Sequence, residues 1–340
     1  MVTDQEIEKA AELLRKGRLV AFPTETVYGL GADASSAAAV KRLFAAKGRP
    51  ADHPVIVHLA DANQLKYWTA ELPHNAWVLA EKFWPGPLTM ILKRAPTVSD
   101  LVTGGQDSVG LRVPNHPVAL RLLRAFGGGV AAPSANRFGR LSPTTAEHVR
   151  QEMGDMVDMI LDAGACEVGI ESTIVDLTRE RPLILRPGHI AERQIMEALF
   201  PPSVDAASND GHYSMLQFDS ESHSDRPRVS GSLTSHYAPL TPTRILLPEL
   251  IEEFVRRKAG GPVAVLARRS RPQDSRAALW QVAPESAPEY ARLLYSLLRR
   301  LDAAGCRMIV IEDLPELPEW VAVKDRISRA ATAEFVHDLV

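Results

Sequence analysis

Four cations fall within nine residues, at Lys41, Arg42, Lys47 and Arg49, and the run closes on Gly48 and Pro50, where a helix must stop. Lys47 and Arg49 are therefore expected on a turn. Two readings of them stay open. Cations at a helix end complement its negative dipole. A lysine followed two residues later by a planar arginine fork also suits a phosphate clamp. A second segment, Ala131-Ala132-Pro133-Ser134-Ala135-Asn136, sits where a strand ends after Gly127–Gly129. Its small residues would let a ligand approach the backbone, while Ser134, Asn136 and, downstream, Ser142 offer short polar groups. Ser142-Pro143-Thr144 reads equally well as a helix cap. Arg112, within VGLRVP, and Arg186, within LILRPG, stand alone in apolar surroundings. A cation so placed needs an anion, either a protein carboxylate or a substrate group.

Gly29-Leu30-Gly31-Ala32-Asp33-Ala34 fits a dinucleotide fingerprint, but PTETVY separates it from the preceding strand, where the motif requires a tight strand-to-helix turn. Glycines that shape a loop are the favoured reading. No GxxxxGK[ST] loop is present, and Cys166 and Cys306 have no partners at metal-ligand spacing.

The elements that must position these residues fit an ordinary globular composition. The chain has 340 residues, 45% hydrophobic and 24% charged, with 39 Lys+Arg against 42 Asp+Glu and hence a net charge of −3. Two domains are expected at about 150 residues each, and a polyanion would have to be met by a local basic pocket rather than by the whole surface. No apolar run reaches membrane-spanning length, and MVTDQEIEKAAELLRKG is an amphipathic helix rather than a signal peptide, so a cytoplasmic protein is expected.

Thr3 and Glu6 form a capping-box pattern ahead of Ile7, Ala10 and Leu14. Strands are expected over 18–22, 54–59, 88–92, 108–113, around 157–162, 173–177 and 182–186, with helices over 36–46, 74–83, 117–126 and 144–152. The alternation argues for an α/β layer architecture with a mixed sheet. Residues 203–235 carry nine serines and five acidic residues, which reads as a linker. Beyond it, RILL, PVAVLA, a helix over 288–304, RMIVIED and a helix from about 325 make a second, smaller α/β unit. The expected division is 1–202, a linker and lid over 203–242, and 243–340.

PTETVYGLGADA, KGRPADHPVIVHL, FWPGPLT, VGLRVPNHP, APSANRFGRLSPT, GIESTIVDL and ILRPG follow one another as they do in the YrdC-like family of threonylcarbamoyl-AMP synthases, which this chain closely resembles over 18–188. SHYAP at 235–239 and the α/β tail resemble the longer, two-domain form of that enzyme. The resemblance implies an open twisted mixed sheet with helices around a basic cavity, then a Rossmann-like C-terminal domain. It implies a nucleotidyltransferase reaction in which L-threonine, bicarbonate and ATP, with Mg²⁺, give threonylcarbamoyl-adenylate and pyrophosphate. The product would pass to the tRNA threonylcarbamoyl transferase complex, with a weak tRNA contact, to modify the adenosine beside the anticodon.

By the same resemblance the threonine pocket falls on Thr26, His58, Arg112, Ala132 and Ser172. ATP contacts fall on Lys47, Arg49, His53, Ser108, Ser134, Asn136, Ser142, Arg186 and Tyr237, with His236 a second lid residue and Lys47 and Arg49 as the catalytic pair. His53 stands where relatives carry asparagine or another polar residue. The competing reading from another class is an RNA-binding or ribosome-assembly module using the same basic cavity; the negative net charge and the lack of aromatic-interleaved basic stripes speak against it.

Overall fold

The computed structural model describes residues 2–201, 226–231, 235–257 and 261–331. Most of the expected linker, 202–225 and 232–234, and the last nine residues lie outside the described residues.

Helix α1 (Asp4–Arg15) begins at Thr3, whose hydroxyl accepts from the Glu6 amide while the Glu6 carboxylate accepts from the Thr3 amide, and it buries Ile7, Ala10, Ala11 and Leu14. Strands β1 (Val20–Phe22) and β2 (Gly29–Asp33) follow, then α2 (Ala37–Lys47). Ser36 caps α2, and Gly48 ends it at φ 61°, a left-handed conformation that costs glycine little. Next come β3 (Ile56–His58), the short α3 (Leu65–Trp68), α4 (His74–Phe83), β4 (Leu88–Lys93), the short α5 (Asp100–Thr103) and β5 (Ser108–Arg112). Helix α6 (Pro117–Phe126), β6 (Val130–Ala131), α7 (Ala146–Met153), β7 (Met159–Ile160), β8 (Thr173–Asp176), β9 (Leu183–Arg186) and α8 (Glu192–Leu199) complete the first unit.

The nine strands form one mixed sheet in the order β7-β1-β2-β6-β3-β5-β4-β8-β9. Alternation along each strand sends side chains to both faces. On β1, Val20 and Phe22 join the core beneath α1 and α6, whereas Ala21 joins the larger core beneath α2 and α4. Each buried Val, Leu or Phe contributes about 1.5–3 kcal/mol, so helices covering both faces are what the sequence needs to hide its apolar strands.

The second unit has β10 (Thr243–Leu246), α9 (Ile251–Arg257), β11 (Val263–Ala267), β12 (Leu279–Val282), α10 (Ala287–Asp302), β13 (Met308–Glu312) and α11 (Val321–Ala330). Its four strands are all parallel, in the order β10-β13-β11-β12. The two units share a core: Val27, Leu141, Ile170 and Tyr237 cluster with Leu294, Tyr295, Leu298 and Ile327.

The expected loop at Gly29–Ala34 is a strand. Glycine is required there by neighbouring strands: a Cβ on Gly31 would lie 2.9 Å from both Phe22 Cε1 and Val130 Cγ1. That placement leaves no strand-to-helix turn for a dinucleotide. Lys47 is the last residue of α2 rather than a turn residue, and Arg49 stands just beyond its cap.

Candidate active site

Strand ends bring the site together. In the parallel pair of β3 and β5, His58 is the register partner of Arg112, so both side chains arrive at the same edge. In the antiparallel pair of β8 and β9, Ile174 faces Arg186, which places Arg186 beside Ser172, just ahead of β8. Ser134 bridges back to Gly29, setting the segment after β6 against β2. Between these ends lies a small cavity of about 50 Å³, bordered by Thr26, Arg49, His58, Arg112, Ala132, Ser134, Ser172, Arg186 and Tyr237, among others.

One side is arranged for a small zwitterion. Arg112 approaches Glu25 Oε1 at 2.8 Å, both side chains being 5% exposed. The contact is an ion pair without a hydrogen bond, and both Glu25 oxygens and one Arg112 nitrogen have no hydrogen-bond partner. Arg112 Nε donates to the Gly86 carbonyl at 3.3 Å. Burial, and then the Arg112 charge, push the His58 pKa down to about 3, so its ring is neutral at physiological pH, and its Nδ1 has no partner. The hydroxyls of Thr24 and Thr26 lie 2.8 Å apart.

The other side is cationic. Burial lowers the Arg49 pKa to about 10, which still leaves it charged, and its guanidinium lies 5.4 Å from the Phe138 ring centre. Arg186 donates to the Ser172 carbonyl through two nitrogens, at 3.1 and 2.9 Å. Ser230 spans the two cations: its hydroxyl accepts from Arg49 at 3.2 Å and its carbonyl accepts from Arg186 at 2.9 Å. Lys47 is buried and held well below the usual lysine range; its ammonium donates to the carbonyls of Ser134, at 2.5 Å, and Asn136. Tyr237 has φ 58°, unusual for a residue with a side chain, and its buried hydroxyl is unpartnered. Glu171 also borders the cavity. Burial would raise its pKa, but the Arg326 and Arg186 guanidiniums and the Ser142 hydroxyl outweigh that and take it down to about 2.

Two family models match the chain: one described as telomere recombination, covering Sua5, YciO and YrdC proteins, over residues 12–188, and one described as the threonylcarbamoyl-AMP synthase C-terminal domain over 190–332. A threonylcarbamoyl-AMP synthase of Pyrococcus abyssi is 38% identical over 97% of this chain and 95% of its own. That of Bacillus subtilis is 38% identical over 98% and 95%. The chain belongs to the threonylcarbamoyl-AMP synthase family. A crystal structure of P. abyssi Sua5 complexed with L-threonine superposes with a TM-score of 0.85 at 36% identity, covering 97% of this chain and 95% of that one. The match confirms the two-unit α/β architecture and leaves the RNA-module reading unfavoured.

Nine of the sequence-derived site residues border the cavity: Thr26, Arg49, His58, Arg112, Ala132, Ser134, Ser172, Arg186 and Tyr237. Five do not. Lys47 ties down the Ser134–Asn136 loop, and Asn136 donates to the carbonyls of Arg137 and Arg140. Ser142 donates to Glu171 at 2.5 Å. The His53 ring packs on Phe138 with centres 5.1 Å apart, and Ser108 pairs with Lys93 at the end of β5 away from Arg112. His236 borders the cavity beside Tyr237, and burial takes its pKa down to about 3. Glu25, Glu171 and Ser230 are additional to the expected set. A carboxylate inside an otherwise hydroxyl-rich or apolar motif, as in PTETVY and GIESTIV, is the signal that marks the first two.

Among the described residues no group of three or more His, Cys, Asp or Glu is placed to hold a metal ion, and no helix is long and apolar enough to cross a membrane.

Proposed function

We infer that this chain joins L-threonine, bicarbonate and ATP into threonylcarbamoyl-adenylate and pyrophosphate. The observation that carries this reading is that four residues bordering the cavity hold buried polar atoms without hydrogen-bond partners: His58 Nδ1, one Arg112 nitrogen, His236 Nδ1 and the Tyr237 hydroxyl. A buried unsatisfied polar atom costs about 1–3 kcal/mol, so four around one cavity describe a surface made for a polar ligand.

In this reading Arg112 grips the threonine carboxylate through its fork, and Thr26, Ser172 and neutral His58 meet the side chain and the carbamate by hydrogen bonds. The amine nitrogen bonds to the bicarbonate carbon, with loss of water, to give a carbamate. Enclosure protects that unstable species while it lies beside the α-phosphorus. A carbamate oxygen then bonds to the phosphorus, and the bond to pyrophosphate breaks. Arg49 and Arg186 face the charge that develops on the phosphate oxygens. Lys47 supports them by fixing the Ser134–Asn136 loop. The Ser230 oxygens, set between Arg49 and Arg186, stand where phosphate oxygens would bind, so the segment holding them must yield to ATP and can then close over it.

Among the described residues no acidic cluster is placed to hold the Mg²⁺ that accompanies ATP, and both oxygens of Glu171 are engaged by Ser142, Tyr295 and Arg326. It would be carried by the triphosphate, and no step above depends on it. We further assign the reaction to the cytoplasm, with delivery of the adenylate to the tRNA threonylcarbamoyl transferase complex and a weak tRNA contact, and retain 1–202, 203–242 and 243–340 as catalytic domain, lid and C-terminal domain. The deciding assay is pyrophosphate release from ATP with threonine and bicarbonate omitted in turn. Release is expected only with all three; release that ignores threonine would overturn the reading.

A further inference from the structure

Glu171 sits beside Ser172 at the cavity wall, yet several groups that hold it come from the second unit. Arg326, on α11, is fully buried. Its Nε donates to Glu171 Oε2 at 2.7 Å, and its terminal nitrogens donate to the carbonyls of Pro187, at 3.0 Å, and Glu171, at 3.3 Å, and to Asp325 at 2.6 Å. Tyr295, on α10, donates to the same Glu171 carboxylate, 3.0 Å from Oε2 and 3.2 Å from Oε1. The Arg326 guanidinium also lies 5.3 Å from the Tyr237 ring centre.

The two carbonyls that Arg326 grips belong to the chain neighbours of Ser172 and Arg186. One planar fork therefore fixes the backbone on both sides of the Arg186–Ser172 contact. Ser172 has a separate tie, its hydroxyl lying 2.8 Å from that of Thr89. Arg186 is the cavity residue whose placement depends most on this network.

Adhesion between the units does not require buried charge. The shared apolar cluster already joins them, and a buried ion pair commonly adds no more stability than well-packed apolar groups of the same size. A saturated network adds direction. With its oxygens filled by Arg326, Tyr295 and Ser142, Glu171 is not free to act as a base.

We propose that Arg326 is a positioning residue for the nucleotide half of the reaction: from the C-terminal unit, through Glu171 and the Pro187 carbonyl, it sets Arg186. This rests on the reaction inferred above. The test uses the full-length protein as wild type, Arg326→Lys and Tyr295→Phe, with kinetics in ATP and in threonine normalised to the folded fraction from thermal melts. Lysine keeps the charge but not the fork. Arg326→Lys should lower kcat/KM for ATP at least tenfold, about 1.4 kcal/mol, while threonine binding measured calorimetrically without ATP moves less than twofold. Tyr295→Phe should shift ATP use in the same direction by about threefold. Lowered melting temperatures with both substrates' parameters unchanged would reduce Arg326 to a structural tie and overturn the proposal, as would equal losses for ATP and threonine. Should Arg326→Lys fail to fold, Tyr295→Phe decides: no ATP-selective loss overturns the proposal. A wild type that releases no pyrophosphate with threonine and bicarbonate present would instead sink the reaction itself.

Discussion

Replacing Arg112 by lysine removes a planar fork while leaving a cation beside Glu25. Arg112 is buried, its polar contacts are Glu25 at 2.8 Å and the Gly86 carbonyl at 3.3 Å, and neither Arg49 nor Arg186 bonds to it. An ammonium in its place meets a substrate carboxylate with one strong bond where the guanidinium makes two. Losing one charge-assisted hydrogen bond costs about 1.5–3 kcal/mol, which is about one to two decades in threonine KM. The ATP KM should stay within twofold. Pyrophosphate release, with each substrate varied at saturation of the other, reads the two constants in one preparation. Equal rises in both would show that Arg112 supports the whole cavity and that threonine is not its ligand. Arg112→Ala is a harsher change, because it leaves Glu25 buried without its counter-ion and costs about 3–5 kcal/mol of stability. Adding Glu25→Gln should restore part of that loss in thermal melts without restoring threonine use.

Stability should fall as pH drops from 6.5 towards 4.5. His58 and His236 have folded pKa values near 3, so below 6.5 the unfolded chain takes up protons that the folded one refuses; Glu171, with a folded pKa near 2, adds its own loss only below about 4.5. His58→Gln should flatten the melting-temperature profile within that first window, and an unchanged slope would contradict the burial argument. Ser230→Asp places a carboxylate between Arg49 and Arg186 and should raise the ATP KM at least tenfold with threonine binding intact; an unaltered ATP KM would remove Ser230 from the nucleotide path. Gly31→Ala should cost about 1–3 kcal/mol through overpacking against Phe22 and Val130, read as a lower denaturation midpoint, and a neutral result would mean that those neighbours yield freely.

Much of the fold could be read from local pattern. The helix over 117–126 matches its expected span, and most strands of the first unit lie within a residue or two of expectation. Period-two apolar runs and Gly or Pro stops carry that information whatever lies far away in the chain. Gly29–Asp33 was hidden because a strand built on glycine has no apolar alternation; its glycines answer to Phe22 and Val130 on flanking strands. The strand Leu279–Val282 and the helix Glu192–Leu199 carried too little pattern to stand out. Within the site, Arg112 and Arg186 announced themselves as isolated cations in apolar runs. The partners that decide their geometry, Glu25 and Ser230, belong to segments that resemble ordinary turns.

By itself the sequence determined the layer architecture and the residue types that can bind phosphate and carboxylate, because these depend on periodicity and on side-chain chemistry within a few positions. Only the tertiary structure decided that Lys47 is spent on the Ser134 and Asn136 carbonyls, and that Arg326 reaches 155 residues back to Glu171. A buried charge must find its counter-charge in space, and nothing in the spacing along the chain specifies which carboxylate folding will bring to it.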